Sequence, residues 1–420
     1  MTLPPGPQRA SCLASAHNFR PEYQLIVRCA RLNLTDLDRA ELRALARSNL
    51  DWSAVLAETL RQSLVPLVYR HLQAHCPELL PSEILFELRK HYLLASARSM
   101  ALAAELREAT ILLEAEGVAS LPYKGPVLAL QAYGDVSLRT FNDLDLLVHP
   151  SDVGKARELL ARRGYKPRQD LTPSREAAIL KVDHNLPLIR EDDQVVIELH
   201  WRVAPAAVTF PMPLYLLWDR SSPILLGGTK VRGMSTSDLI LVLAVHGTRH
   251  GWSAIEWITG IAELMRHDGG VCWAQVMEEA EAFRAARSVR LAIALANRLL
   301  EAPVPLQVAR WIDKDSRLDD LIDWVASRLF VPIDDESPAG QMALFRFELA
   351  VKDGIKERLR DGWYRIFSPT YQDWSNAELP DRIFFMYHFL RPVRLLGRYL
   401  RIRRSSEESR SVCSKGPPAL

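Results

Sequence analysis

Asp143 and Asp145 stand two residues apart in the apolar run Asn142-Asp143-Leu144-Asp145-Leu146-Leu147-Val148. On a β-strand, residues i and i+2 point to the same side. The two carboxylates therefore converge, while Leu144, Leu146 and Val148 turn to a core. Like charges held side by side repel unless a cation or a proton lies between them, and a hard, oxygen-seeking ion such as Mg²⁺ is the natural partner. A third acid, Glu198, interrupts the second apolar run Val195-Val196-Ile197-Glu198-Leu199-His200-Trp201. By alternation it shares a face with Val196 and His200. Three acids converging from neighbouring strands can hold two ions and steady both oxygens of a phosphoryl displacement. Glu198 can also orient or deprotonate an attacking hydroxyl, with His200 supporting a carboxylate or touching substrate. Upstream, Lys124-Gly125-Pro126 opens a helix. Glycine lets the backbone come close to a ligand, and a helix N-terminus favours phosphate, although Pro126 removes one donor. Lys124 and Arg139 are the candidate counter-charges for a triphosphate.

The elements that must position these residues can be read from spacing. Val118–Tyr123 reads as a short strand, Val127–Tyr133 as a helix with Pro126 in its first turn, and Leu144–His149 as a second strand. A helix follows from a Ser151-Asp152 cap to Arg163, ended by Gly164. The acidic turn Glu191-Asp192-Asp193-Gln194, flanked by Leu186–Arg190 and Val195–Trp201, is a hairpin signal, and Leu225–Val231 suggests another turn and strand. Around this module the pattern is helical. Upstream, Thr35-Asp36-Leu37-Asp38 forms an N-cap, and Ser96–Glu116 is an alanine-rich helix ended by Gly117. Downstream, helices are expected from Ser237, over Trp252–Met265, over Trp273–Leu300 and over Asp319–Leu329, with a looser segment after Pro332. The expected architecture is α+β. It comprises a disordered start (1–20), an N-terminal helical region (21–117), a small mixed β-sheet core (118–234), a C-terminal helical region (235–404) and a floppy tail (405–420).

Bulk composition is that of an ordinary globular protein, with 420 residues, 48% hydrophobic, 25% charged and a net charge of +2. Nothing in that balance calls for nucleic acid or a strongly acidic partner. Cys12, Cys29, Cys76, Cys272 and Cys413 are scattered without metal-ligand spacing and read as reduced cytoplasmic thiols. The longest apolar run, Leu239–Val245, is far short of the roughly 20 residues that span a bilayer.

The run from Lys124 to Val148, followed by Glu198-Leu199-His200-Trp201, resembles the uncharacterised nucleotidyltransferase family of bacteria, within the DNA-polymerase-β-like superfamily. Leu217-Trp218 before Gly227-Gly228, Ser237-Asp238-Leu239-Ile240-Leu241, and His246-Gly247-Thr248-Arg249-His250-Gly251-Trp252 with Trp257-Ile258 extend the likeness over roughly residues 25–330. The resemblance implies a mixed-sheet nucleotidyltransferase core, Mg²⁺ (two ions), and a nucleoside triphosphate such as ATP as substrate. It also implies Asp143, Asp145 and Glu198 as catalytic, metal-binding acids, and the nucleotide is expected at Lys124, Gly125, Arg139 and His200. Two positions depart from the family pattern. Gly125-Pro126 replaces the usual Gly-Ser, and Gly260 stands where an acid often follows the tryptophan helix, with Glu263 a turn later. These departures motivate the alternative of a catalytically inactive nucleotide-binding or regulatory module. The acceptor could be a small molecule, a glycan precursor, a peptide or a protein. RNA ranks below these, because no basic-aromatic strip lies near the acids.

His246 and His250 share one helical face at i, i+4. Zinc ligation, lining of the cleft and structural hydrogen bonding are the three readings of that pair. Arg391, Arg394, Arg398 and Arg401 follow helical spacing in the stretch 380–404. That stretch can lie on an anionic membrane, bind an acidic partner or pack on the body.

Overall fold

The structure, a computed structural model, describes residues 19–168, 172–192, 194–206, 208, 210–267, 270–331, 337–368, 381–395 and 397. The expectations for residues 1–18, for the first residues after Val331, for Arg398 and Arg401 and for the tail 405–420 lie outside them.

Among the described residues five helices precede the sheet: α1 (Pro21–Cys29), α2 (Asp36–Arg47), α3 (Trp52–Arg61), α4 (Val65–His75) and α5 (Ser82–Ala115). Thr35 caps α2 as its spacing suggests, accepting from the Asp38 N–H while the Asp38 carboxylate accepts from the Thr35 N–H, a full capping box. The helix expected from Ser96 begins earlier, at Ser82, and runs 34 residues unbroken. No glycine or internal proline interrupts it, so the whole length propagates. Gly117 ends it at φ +74°.

The central sheet contains β1 (Ser120–Pro122), β2 (Asp143–Val148), β3 (Lys166–Pro167), β4 (Asn185–Arg190) and β5 (Val195–His200) in the order β1-β2-β5-β4-β3. Among the described residues only β2 and β5 pair in parallel. Helix α6 (Gly125–Tyr133) joins β1 to β2. Between β2 and β5 lie α7 (Val153–Ala161), α8 (Pro173–Val182) and the β4 hairpin strand. The parallel pair is thus closed by a long crossover, as parallel pairing requires. The expected α7 cap does not form: Asp152 makes no side-chain capping bond and belongs to a 3₁₀ turn, Pro150–Asp152. A short helix α9 (Leu214–Asp219) and the two-stranded sheet β6 (Ser222–Leu226) with β7 (Thr229–Gly233) complete the module.

Helices then resume: α10 (Thr236–Arg249), α11 (Ile255–Arg266), α12 (Trp273–Ala282), α13 (Ala286–Leu300), α14 (Leu306–Ile312), α15 (Leu318–Leu329), α16 (Pro338–Val351) and α17 (Ile355–Phe367). Two expectations are corrected here. The stretch Trp273–Leu300 is two helices, because Arg284 between them sits at φ +55°. The segment beyond 337, expected to be loose, is α16 and α17. Ser337 caps α16 through the Gly340 N–H with a proline in its first turn. In the basic stretch, residues 381–386 form a 3₁₀ turn and 387–395 are helical. Arg391 there is buried, with Nε 2.9 Å from the Arg365 carbonyl, so this arginine packs on the body.

One face of β2 serves each of two cores. Leu144, Leu146 and Val148 join α5, α7 and β5 side chains in one cluster, each fully buried. Leu147, on the Asp143–Asp145 face, joins the larger core that runs from α1 (Leu25, Ile26) through α10 to α13 (Leu291, Leu295). Each such side chain contributes roughly 1.5–3 kcal/mol of burial. The acids therefore lie in the seam between the sheet and the helical mass, on a strand held from both sides. No described helix is long and apolar enough to cross a membrane.

Candidate functional site

Strand register brings the acids together. Asp143 pairs with Val196, Asp145 with Glu198 and Leu147 with His200 along the parallel β2–β5 ladder. Residues directly opposite across a ladder project to the same face, so Asp145 and Glu198 stand side by side, with Asp143 and His200 as next neighbours on that face. Asp145, Glu198 and His200 each offer a ligand atom within 4.8 Å of the others; among the described residues they are the cluster of three or more acid, histidine or cysteine side chains at that spacing. Asp143 flanks the cluster without joining it.

The hydrogen bonds define the charge state. His200 Nε2 lies 3.1 Å from Asp145 Oδ1 and 3.3 Å from Glu198 Oε2. The Tyr123 hydroxyl faces the other ring nitrogen at 3.3 Å. Lys124 Nζ reaches Asp145 Oδ1 at 2.7 Å, and Asn185 donates to Glu198 Oε2 at 2.7 Å. Burial alone would raise the Asp145 pKa, but the Lys124 ammonium and the His200 hydrogen bond outweigh it and hold the carboxylate far below its usual range. Asp143 shows the opposite. Burial and then repulsion from Asp145 and Glu198 push it up to about 6. Burial would lower His200, yet its bonds to Asp145 and Glu198 raise it. Lys124 and His200 compensate Asp145, whereas the raised Asp143 marks negative charge left uncompensated beside it. A bound divalent cation would relieve it, and the oxygen donors of Asp145, Glu198 and Asp143 are those such an ion takes. The residues present therefore fit the metal that the sequence implies.

Gly125 opens α6 at φ +51°, and a Cβ there would meet the Asp143 carbonyl oxygen at 3.3 Å. Left-handed backbone and close approach both require glycine. Lys124 is the N-cap residue of α6, in extended conformation, and its chain crosses the Tyr123 ring. Both stand beside the acids, as their sequence positions suggest. Arg139 is placed differently. It is buried, with Nε 2.5 Å from Glu256 Oε1 on α11, and so ties the approach to β2 onto the helical domain. Glu263 is also inward: it accepts the Leu32 N–H and pairs with Arg266.

His246 and His250 stack edgewise on Trp257, with ring centroids 5.6 Å from it and 4.7 Å from each other. Burial, then the nearby Lys124 and Arg249 charges, lower both, His250 to about 3. They are neutral rings, and among the described residues no third acid, histidine or cysteine completes a metal set with them.

Several site residues carry no motif. Asn185 follows from the hairpin, since it lies opposite His200 in the β4–β5 register. Just before β4, Asp183 accepts from His184 Nδ1 at 2.7 Å, and Arg249 donates to His184 Nε2 at 2.9 Å. Burial lowers His184 to about 4 despite Asp183, so it is the neutral middle of this chain. Its ring lies 5.3 Å from that of His200. The i, i+1 pair Asp183-His184 was visible in the sequence, but nothing in its spacing pointed to Arg249.

The site is thus a small mixed sheet with acids from two parallel strands, beside a glycine-opened helix. Residues 48–301, more than half of the chain, match the family model described as uncharacterised nucleotidyltransferase, and the chain belongs to that family. No curated protein matches the chain, and no solved structure matches it.

Proposed function

We propose that the protein transfers a nucleoside monophosphate from a nucleoside triphosphate to a hydroxyl-bearing acceptor, with Mg²⁺ as cofactor. The observation that carries this reading is the parallel register that sets Asp145 against Glu198 with Asp143 on the same face, in a member of a nucleotidyltransferase family. Asp143, Asp145 and Glu198 would hold the metal, two ions in the fullest form. When bound, the metal neutralises charge on the phosphates and on the attacking and departing oxygens.

The chain's own residues do the remainder. Gly125 and the following N–H groups of α6 lie close to β2 and offer a positive helix end to phosphate. Lys124 adds an ammonium at that mouth. Glu198, half-buried and held by Asn185 and His200, accepts a hydrogen bond from the acceptor hydroxyl and receives its proton as the oxygen attacks the α-phosphorus. Pyrophosphate leaves in line. His200 buttresses both carboxylates, and Tyr123 fixes its ring. The neutral pair His246 and His250 closes the cleft on the helical side. The relation to the DNA-polymerase-β-like superfamily belongs to the same proposal.

The experiment incubates the full chain with each α-labelled NTP, Mg²⁺ and a panel of acceptors, following pyrophosphate and labelled product. Metal-dependent product that disappears in folded Asp143→Ala and Asp145→Ala supports the reading. Undiminished transfer by both variants removes it.

A further inference from the structure

A cavity of about 470 Å³ lies between the entry to β4, the end of α10, and helices α16 and α17; its wall residue Arg249 bonds His184, whose ring stands 5.3 Å from that of His200 in the acid cluster. Asp183, Arg249 and His250 form its wall nearest the acids, and Leu344, Phe345 and Leu349 line it from α16. We infer that this cavity is the acceptor pocket and that it receives a small hydroxylated molecule carrying an oxyanion, phosphate or carboxylate, gripped by Arg249. This rests on the transferase reading above and names the acceptor class for that site.

Three observations carry it. The first is charge. The cavity wall contains five cationic side chains, Arg249, Arg284, Lys352, Arg365 and Arg391, against the acids Asp183, Glu348 and Asp361. Arg365 pairs with Glu348, Lys352 with Asp361 and Arg284 with Glu357, while Arg391 bonds a carbonyl. Arg249 differs. Among the described residues its bond is to the neutral His184 ring, with no carboxylate in ion-pair range. A guanidinium has five N–H donors in a fixed fork that suits a carboxylate or phosphate, and here most of them are uncommitted.

The second is position. In the sheet order β1-β2-β5-β4, the phosphate-favouring end of α6 follows β1, whereas the cavity starts beyond Glu198 on the β4 side. The proposal therefore sets the nucleotide's phosphates on the β1 side of the acids and the acceptor on the β4 side. The third is size. The volume falls within the roughly 300–1,000 Å³ of small-molecule sites. The apolar α16 wall suits a carbon skeleton, and the charged wall suits its anionic end. In the reaction, the acceptor's hydroxyl oxygen bonds the α-phosphorus, the bond from that phosphorus to the bridging oxygen breaks, pyrophosphate takes the electron pair, and the hydroxyl proton passes to Glu198.

The test is calorimetry on the full chain with Mg²⁺ and a non-hydrolysable ATP analogue, titrating glycerol 3-phosphate, glycerate and glycerol. One or both anions should bind, identifying the preferred oxyanion, and glycerol should not. Arg249→Gln should weaken the anion by about tenfold or more, the loss of one good charge-assisted contact. Leu349→Trp, which fills the cavity from α16, should do the same. Both variants should keep wild-type thermal unfolding and wild-type affinity for the ATP analogue. Absence of anion binding to wild type, equal binding in both variants, or loss of analogue binding in them would overturn the assignment. Failure of the transferase reading shows separately, as analogue binding indifferent to Mg²⁺ and to Asp145→Asn.

Discussion

The Arg139–Glu256 pair decides whether an arginine in the family-like stretch serves the substrate or the fold. Both side chains are buried, at 8% and 4% exposure, and they meet at 2.5 Å and 3.4 Å. Solvent screening is therefore weak. Removing one partner leaves the other charged and stranded, which costs about 3–5 kcal/mol. Glu256→Gln and Arg139→Met should each lower the thermal midpoint by on the order of 10 °C. The double variant Arg139→Met/Glu256→Leu, which leaves no charge buried, should recover to within about 1 kcal/mol of wild type. Urea melts on the four proteins give the coupling energy directly, and binding of a Mg²⁺–ATP analogue is measured in parallel. The reasoning predicts a large, non-additive stability effect and near-normal analogue affinity in the double variant. Single variants that lose less than about 1 kcal/mol, or a double variant that is stable but no longer binds the analogue, would refute the clamp and return Arg139 to the triphosphate.

Four further outcomes follow from the same geometry. Asp143 is raised to about 6, above its unfolded value. The folded chain therefore keeps a proton that the unfolded chain releases, and stability falls as pH rises through that window in divalent-free buffer. Mg²⁺ should raise the thermal midpoint more at pH 8 than at pH 5, and an equal shift at both would contradict this. Burial holds His71 neutral, lowered to about 4, with its Nε2 against the Arg31 carbonyl. Its folded value lies below the unfolded one, so stability is complete above about pH 6.5 and drains away toward pH 4. His71→Gln should flatten that slope in urea melts. Asn185→Ala removes the donor on Glu198 and should cut turnover by about 10–100-fold with unchanged melting, as read by pyrophosphate release. Gly125→Ala forces a Cβ to 3.3 Å from the Asp143 carbonyl at φ +51°. It should cost about 1–2 kcal/mol and weaken nucleotide binding, which chemical melts and calorimetry would show.

The acid-bearing strands were legible because β2 and β5 alternate cleanly: Leu144 and Leu146 face one core and Asp143 and Asp145 the other side. The hairpin was legible through its acidic turn. That Glu198 joins the two aspartates from a neighbouring strand was expected, but its exact register opposite Asp145 was not legible, because it joins strands more than fifty positions apart through a crossover, and local periodicity carries no register across such a distance. The α12–α13 break was hidden because Arg284 takes a positive φ without glycine or proline to announce it. Helix α8 did carry a signal, Thr172 accepting from the Arg175 N–H ahead of a proline start, but its polar surface masked the 3.6-residue period. From sequence Arg139 reads as a counter-charge for a triphosphate, and Glu256 carries no signal at all. Only the fold shows that 117 positions of chain close to bury them together.

The most direct test of the central claim is a Mn²⁺ titration of the full chain, followed by electron paramagnetic resonance with a non-hydrolysable ATP analogue present. The carboxylate assignment predicts saturable binding in the wild type that is lost in Asp145→Asn and Glu198→Gln while their unfolding profiles stay cooperative. Binding of equal strength in both folded variants would contradict it.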